Sequence, residues 1–178
     1  MTNYSGFYRY RTKDIIEIVR NDKEGVFFEF CFRRNLNLNI AGEKTSSAHL
    51  KEAMEEMKKI LPNIFEYKLG AKIINNVGSY YLFICLHDKN EVKISHEEIV
   101  KKFDEFLKKA NHFYKLIRLQ KILGDPKVIL MNTKEYYETF QISPVAKGHN
   151  KAKILISQQQ LDAVLERMEK TKEKLFVK

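Results

Sequence analysis

Apolar residues recur at spacings of three and four through the segment 95–124: Ile99, Phe103, Phe106, Leu107, Ala110, Phe113, Tyr114 and Ile117. On a helical wheel they fall within an arc of about 120°, the width of a core-facing stripe, so the segment reads as one long amphipathic helix. Ser95 and Glu98 have the S-x-x-E spacing of a capping box, and Ile94 and Ile99 are placed as its hydrophobic staple. Gly124 is placed to take the left-handed position after the last turn, and Pro126 forbids continuation. Glu97 and Glu98 stand at the positive end of the helix dipole, and Lys115, Arg118 and Lys121 at the negative end. The phase slips at one point. Carried as an ideal helix, Lys121 turns back toward the buried stripe. This demands a bend near Asn111, a frayed last turn, or a lysine that snorkels outward.

Upstream, alternation replaces the helical period. Segments 14–20 and 26–34 flank five turn residues, 21–25, that end in Gly25, which predicts a β-hairpin; a short helix over 14–20 competes for its first arm. Val26, Phe28, Phe30 and Phe32 share one face of the second arm, and Phe27, Glu29, Cys31 and Arg33 the other. Leu36, Leu38 and Ile40 alternate with Asn35, Asn37 and Asn39 as a further strand, giving a β-meander over 6–40. Leu50, Ala53, Met54, Met57 and Leu61 make the stripe of a helix over 47–61, stopped by Pro62. A second hairpin over 65–87 turns at Asn76-Val77-Gly78, and its run 80–86 is apolar on both faces, which places it centrally in a sheet.

After the long helix (96–123) comes a mixed tail, 127–178. It holds a strand over 127–131, a helix capped by Thr133, a loop over 141–151, a strand over 153–156, and a last helix behind a Ser157–Gln160 capping box. No glycine- or serine-rich linker divides the chain. The expectation is therefore a single α+β domain over 1–178, with helices on one face of a mainly antiparallel sheet and one long central helix.

Composition adds three constraints. Hydrophobic residues make up 44% of the chain and charged residues 31%, which excludes a disordered polymer. No stretch approaches the ~20 apolar residues of a membrane span, and the start Met-Thr-Asn-Tyr-Ser-Gly holds no apolar signal core, so no membrane partner and a cytoplasmic setting are expected. The two cysteines, Cys31 and Cys85, lie in apolar runs without C-x-x-C spacing and read as buried reduced thiols. The net charge of +9 favours an anionic partner. The excess of 25 Lys over 7 Arg, with abundant Ile and Asn, is also what an AT-rich coding bias would produce.

Four places carry candidate chemistry. Tyr8, Arg9, Tyr10 and Arg11 combine aromatic and basic side chains as stacking on single-stranded bases requires, although an ordinary strand explains them too. Lys101, Lys108, His112 and Lys115 line the polar back of the long helix, in a stretch free of acids from Lys108 to Lys121 that could track phosphates. Lys147, His149 and Lys151 sit with Gly148 and Asn150 in a loop that could follow a phosphate backbone, but without the spacing of a nucleotide-binding P-loop. Asp88, Glu91 and Lys93, between His87 and His96, have the residue types of a Mg²⁺-dependent nuclease; a polar turn before a helix accounts for them equally. There is no G-x-S-x-G motif and no metal-ligand histidine spacing, so no catalytic residue, metal or cofactor is assigned.

These features favour a basic nucleic-acid-binding accessory protein, acting on DNA or RNA without catalysis of its own. A protein-binding regulator or inhibitor acting on an acidic surface is the alternative, with self-association open to it, and a Mg²⁺-dependent nuclease is the second alternative.

Overall fold

The computed structural model describes residues 14–33, 37–142 and 154–176. Its centre is a three-stranded sheet in the order β3-β4-β5, formed by Ile64–Ile74, Val77–Leu86 and Lys127–Asn132. β3 and β4 run antiparallel about a two-residue turn, Asn75-Asn76, whose φ angles of 50° and 64° suit asparagine. The turn falls one residue earlier than the sequence suggested, and Val77 already belongs to β4. β5 lies parallel to β4, with Tyr81 opposite Lys127 and Leu86 opposite Asn132. The sheet is thus mixed rather than mainly antiparallel. The reason is the connection: parallel neighbours need a crossover, and helices fill the space between β4 and β5.

Both faces of the sheet are covered, which corrects the one-sided arrangement expected from the sequence. On one face Leu69, Leu82, Ile84 and Leu86 meet Leu50, Met54 and Met57 of α1 (Ser47–Ile60) and Ile99, Phe103 and Leu107 of α2 (His96–Ala110). On the other, Tyr81, Phe83, Cys85 and Met131 meet Tyr136 of α4 (Thr133–Phe140) and Leu161 and Val164 of α5 (Gln158–Phe176). A β4 apolar on both faces needs two covers. Gly70 permits the second: a Cβ there would lie 2.9 Å from Ile156 Cγ1 and 3.1 Å from Leu161 Cδ2. Ile156 also donates its N–H to Leu69 O at 2.9 Å, so Leu155 joins the sheet through one parallel bridge.

The long central helix is not continuous. α2 ends at Ala110, and α3 occupies His112–Leu119. Between them Asn111 takes an extended conformation, φ −129° and ψ 104°. Its N–H closes α2 on Leu107 O at 2.9 Å, and its Oδ1 accepts the Phe113 and Tyr114 N–H groups at 3.0 and 3.2 Å. One residue therefore ends a helix and caps the next. The chain leaves α3 with Lys121 at φ 59°, so Lys121, not Gly124, takes the left-handed position. Gly124 instead donates its N–H to Gly78 O at 2.8 Å, tying this turn to β4.

Helix starts follow local chemistry. Ser95 Oγ accepts the Glu98 N–H at 3.1 Å, and Ser157 and Gln160 exchange bonds ahead of α5. Asn132, rather than Thr133, caps α4, with Glu135 answering. At α1 the box is Ser46 with His49, whose Nδ1 accepts the Ser46 N–H at 3.3 Å. Burial holds the His49 pKa below its ordinary value, against the opposing pull of Glu52, and this keeps the ring nitrogen free to accept.

β1 (Asp14–Asp22) and β2 (Gly25–Arg33) form a separate two-stranded ribbon, so the short helix considered for 14–20 is not adopted. Ile18 pairs with Phe28, and Ile16, Ile18, Val19, Val26, Phe27 and Phe28 are all exposed. Residues 37–40 make only an isolated bridge, Leu38 with Thr45, in place of an extended strand. Among the described residues no helix is long and apolar enough to cross a membrane.

Candidate functional site

The segment 38–45 is a small loop closed at its neck by two hydrogen bonds, Leu38 N–H to Thr45 O and Thr45 N–H to Leu38 O, both 2.8 Å. Within it Gly42 has φ 99° and Lys44 φ 46°. Glu43 is fully buried. Its Oε1 accepts the Ile40 N–H at 2.7 Å and faces the Tyr80 hydroxyl at 2.8 Å, while its Oε2 accepts the Ala41 N–H at 2.7 Å. The carboxylate thus gathers the loop's own backbone donors onto one point of β4.

Thr45, also fully buried, completes the anchor. Tyr80 Oη lies 2.9 Å from Thr45 Oγ1; with a single proton it donates to the Glu43 carboxylate and accepts from the threonine. Burial, reinforced by the Glu43 charge, pushes the Tyr80 phenol far above its ordinary range, so it remains a donor. From the helix break, Asn111 Nδ2 donates to Glu43 O and to Thr45 Oγ1, each at 2.9 Å.

A second buried cluster adjoins the first through the Tyr80 and Tyr114 rings, whose centroids are 5.3 Å apart. Tyr114 Oη donates to Asp104 Oδ1 at 2.8 Å. Arg118 grips the same carboxylate with Nε at 2.9 Å and Nη2 at 3.2 Å, while Lys108 pairs with Oδ2. Arg118 Nη1 also donates to Leu123 O at 2.7 Å, and Nη2 reaches Asp125. Burial drives the Asp104 pKa upward, but the bonds from Arg118, Lys108 and Tyr114 outweigh it and hold the carboxyl below the usual range. The ion cluster fixes the angle between α2 and α3, and so fixes where Asn111 stands.

Lys44 is what the anchor presents. It is exposed while both its neighbours are fully buried, and its N–H donates to Asn39 Oδ1 at 3.3 Å. A left-handed backbone at a non-glycine residue costs about 1–3 kcal/mol and persists only where its surroundings over-determine it. Here they do. The result is an exposed cation on a fixed base.

The sequence candidates are placed differently. Tyr8, Arg9, Tyr10, Arg11, Lys147, His149 and Lys151 lie outside the described residues. Lys101, His112 and Lys115 are exposed, whereas Lys108 is half-buried on Asp104. The break at Asn111 puts the first and last pairs of that ridge on separate helices, and exposed Phe113, Leu116 and Leu119 interrupt it. Asp88 O accepts from Asn63 Nδ2, and Glu91 lies on a single 3-10 turn, Lys89–Glu91. Among the described residues no three His, Cys, Asp or Glu side chains converge as metal ligands. Sequence reasoning assigned no site role to Glu43, Thr45, Tyr80, Asp104, Asn111 or Arg118. The only signal was the phase slip at Lys121, for which a bend near Asn111 was one of three explanations.

Fold and site together define a small α+β domain that presents an anchored lysine loop and leaves an apolar ribbon uncovered. Residues 48–160 match the model described as the GH3 family C-terminal domain. The chain belongs to the GH3 family. It is 33% identical over 102 residues to a probable indole-3-acetic acid-amido synthetase, GH3.11 of Oryza sativa subsp. japonica, covering 55% of this chain and 16% of that protein. It is 28% identical over 152 residues to the indole-3-acetic acid-amido synthetase GH3.4 of Arabidopsis thaliana, covering 80% and 26% respectively. The solved GH3.15 acyl acid amido synthetase shares the fold, with a TM-score of 0.71 at 20% identity over 93% of this chain and 32% of that one. The chain spans about a quarter or less of the length of these curated relatives.

This overturns the expected function. The relatives are amido synthetases, a family of enzymes, and neither nucleic-acid-binding accessory proteins, regulators nor nucleases. Charge misled because the net value of +9 is a sum over the whole chain and says nothing of where cations converge.

Proposed function

We propose that this chain serves as the C-terminal-domain part of an acyl acid amido synthetase, which joins the carboxyl group of an acyl acid to an amine as an amide, and that Lys44 is the cation it brings to that reaction. The match of residues 48–160 to the GH3 C-terminal domain carries the first part of the reading; the role of Lys44 rests on the anchored loop 38–45, which lies just before the matched residues. Amide formation from a free carboxylate needs an activated acyl group, because the carboxylate oxygen is a poor leaving group. A phosphoryl- or nucleotidyl-donating co-substrate supplies the activation by joining that oxygen to phosphorus in a mixed anhydride; amine attack then breaks the acyl C–O bond, the phosphate leaves with the oxygen, and the amine gives up its proton to solvent. Negative charge is present on the acid and phosphate and builds up on the departing phosphate oxygen. An ammonium group held on a fixed base stabilises such charge without reorganising at the moment of reaction. The anchored loop supplies that base.

The remainder of the enzyme has a place to dock. An isolated two-stranded ribbon is marginal in water, and β1–β2 exposes Ile16, Ile18, Val26 and Phe28. In this reading the larger portion that the relatives carry covers the ribbon, whether on the same polypeptide or another.

The test is a chimera in which this chain replaces the matching C-terminal third of the GH3.15 acyl acid amido synthetase. Amide product from acid, amino acid and a nucleoside triphosphate as the activating co-substrate is measured by mass spectrometry. The chimera is expected to turn over where the truncated synthetase does not. Lys44→Ala is expected to lower turnover about 10²–10³-fold, the usual loss on removing one group that stabilises developing charge. A chimera that melts as one cooperative unit yet makes no amide would sink the proposal.

A further inference from the structure

We infer that Glu43 is a positioning residue, which with Tyr80, Thr45 and Asn111 holds the Lys44 backbone in the left-handed conformation from which its ammonium is presented; the inference rests on the role for Lys44 proposed above. Glu43 is fully buried, yet the three donors that meet its carboxylate are neutral: two backbone N–H groups of its own loop and one phenol. A buried charge met only by neutral donors is a costly way to close a loop. Its distinguishing property is acceptor capacity, since a carboxylate offers two oxygens and about four lone pairs, and no proton of its own.

Glutamine cannot replace it. Its amide has one oxygen, which could serve either the Ala41 N–H or the Ile40–Tyr80 pair, and its NH₂ group would then face donors at the other site. That conflict falls on residues 40 and 41, on the loop's inner side. It leaves the hydrophobic core beneath untouched, because the Tyr80 ring stays packed against Tyr114. The loop has two rigid feet, Glu43 and Thr45, and Lys44 is the single residue between them. Freeing either foot releases Lys44 from a left-handed backbone conformation that costs a β-carbon-bearing residue free energy.

Asn111 links this device to the scaffold. Its side chain spends both amide protons on the two feet, on Glu43 O and on Thr45 Oγ1, and its carbonyl on starting α3. Lys44 is therefore indexed to the junction of two helices rather than to its own loop alone.

The experiment has two arms. In ¹⁵N-labelled full chain, a left-handed residue gives a strong intraresidue amide–Hα cross-peak. Lys44 is expected to show it in the wild type and to lose it in Glu43→Gln, together with hydrogen-exchange protection of the Ile40, Ala41 and Thr45 amides. Tyr80→Phe, which keeps the ring, serves as the second variant should Glu43→Gln not fold. In the chimera, Glu43→Gln is expected to lower kcat with little change in KM. Glu43→Gln combined with Lys44→Ala is expected to be no worse than Lys44→Ala alone, because a positioning residue has nothing left to position. Persistence of the Lys44 cross-peak in both variants overturns the inference, as does a double variant whose losses multiply. If Lys44→Ala leaves turnover unchanged, the role of Lys44 fails and this inference fails with it, even where the cross-peak shows that Glu43 holds the loop.

Discussion

Arg118 meets Asp104 as a two-pronged ion pair, Nε on Oδ1 at 2.9 Å and Nη2 on Oδ2 at 3.2 Å, across the break that separates α2 from α3. Both side chains are nearly enclosed, with relative exposures of 10% and 12%. Removing one partner from such a pair leaves an uncompensated buried charge. Asp104→Asn is therefore expected to destabilise the fold by about 3–5 kcal/mol, read as a lower urea midpoint at neutral pH.

The same pair sets a pH dependence. The Asp104 pKa is lowered in the folded protein, so the folded state binds fewer protons than the unfolded chain near the ordinary value of 3.8. Its stabilisation is fully present above that value and is lost as pH falls through the lower folded-state pKa. Urea midpoints measured down to acid pH should show this loss in the wild type. The Asp104→Asn variant should lack that component, and the two curves should converge at the acid end.

Gly78 lies under the mouth of the loop. A Cβ there would stand 2.6 Å from Ile40 Cγ2 and 2.8 Å from Leu123 Cδ2, closer than van der Waals contact allows. Gly78→Ala is expected to cost about 1–3 kcal/mol, the usual range for overpacking. Trimming the neighbour in the pair Gly78→Ala with Ile40→Ala should recover part of this, as a double-mutant cycle on thermal midpoints would show.

Phe103 is fully buried between α1 and the sheet. Phe103→Ala is expected to cost about 3–5 kcal/mol, and an unchanged urea midpoint would count against its place in the core.

The ribbon supplies the opposite case. Phe28 is 59% exposed and Ile18 61%. Substituting either by Asp is expected to change the stability of this chain alone by no more than about 0.5 kcal/mol. In the chimera the same changes should lower the melting temperature and the amide yield, the outcome required by the proposed docking of the ribbon on the larger part of the enzyme.

Much of the secondary structure was legible because its signals are local. Ser95 with Glu98 and Ser157 with Gln160 mark helix starts through side chain–backbone bonds three residues long. The apolar run of β4 announced burial on both faces, although only the structure showed that α4 and α5 provide the second cover. The site was not legible. Lys44 and Glu43 look like two ordinary charges in a polar loop, and Asp104 like one more acid on a helix. The exposed lysines that did attract attention were conspicuous by number, which reports net charge and not position.

By itself, then, the sequence determined the α+β class, the starts of α2 and α5 and the stripe of Phe103 and Leu107, all consequences of periodicity and of bonds within one turn. The break at Asn111, the parallel β5 and the anchored Lys44 were decided by tertiary structure. Tyr80 reaches Glu43 across 37 residues of chain and Asn111 reaches it across 68. Asparagine's local preference for helix N-caps permits Asn111 to leave the helix but does not require it there. Asn111 leaves it because the buried Glu43 carbonyl and Thr45 hydroxyl oxygen need donors, and an unsatisfied polar group in that interior costs more than one interrupted helical turn.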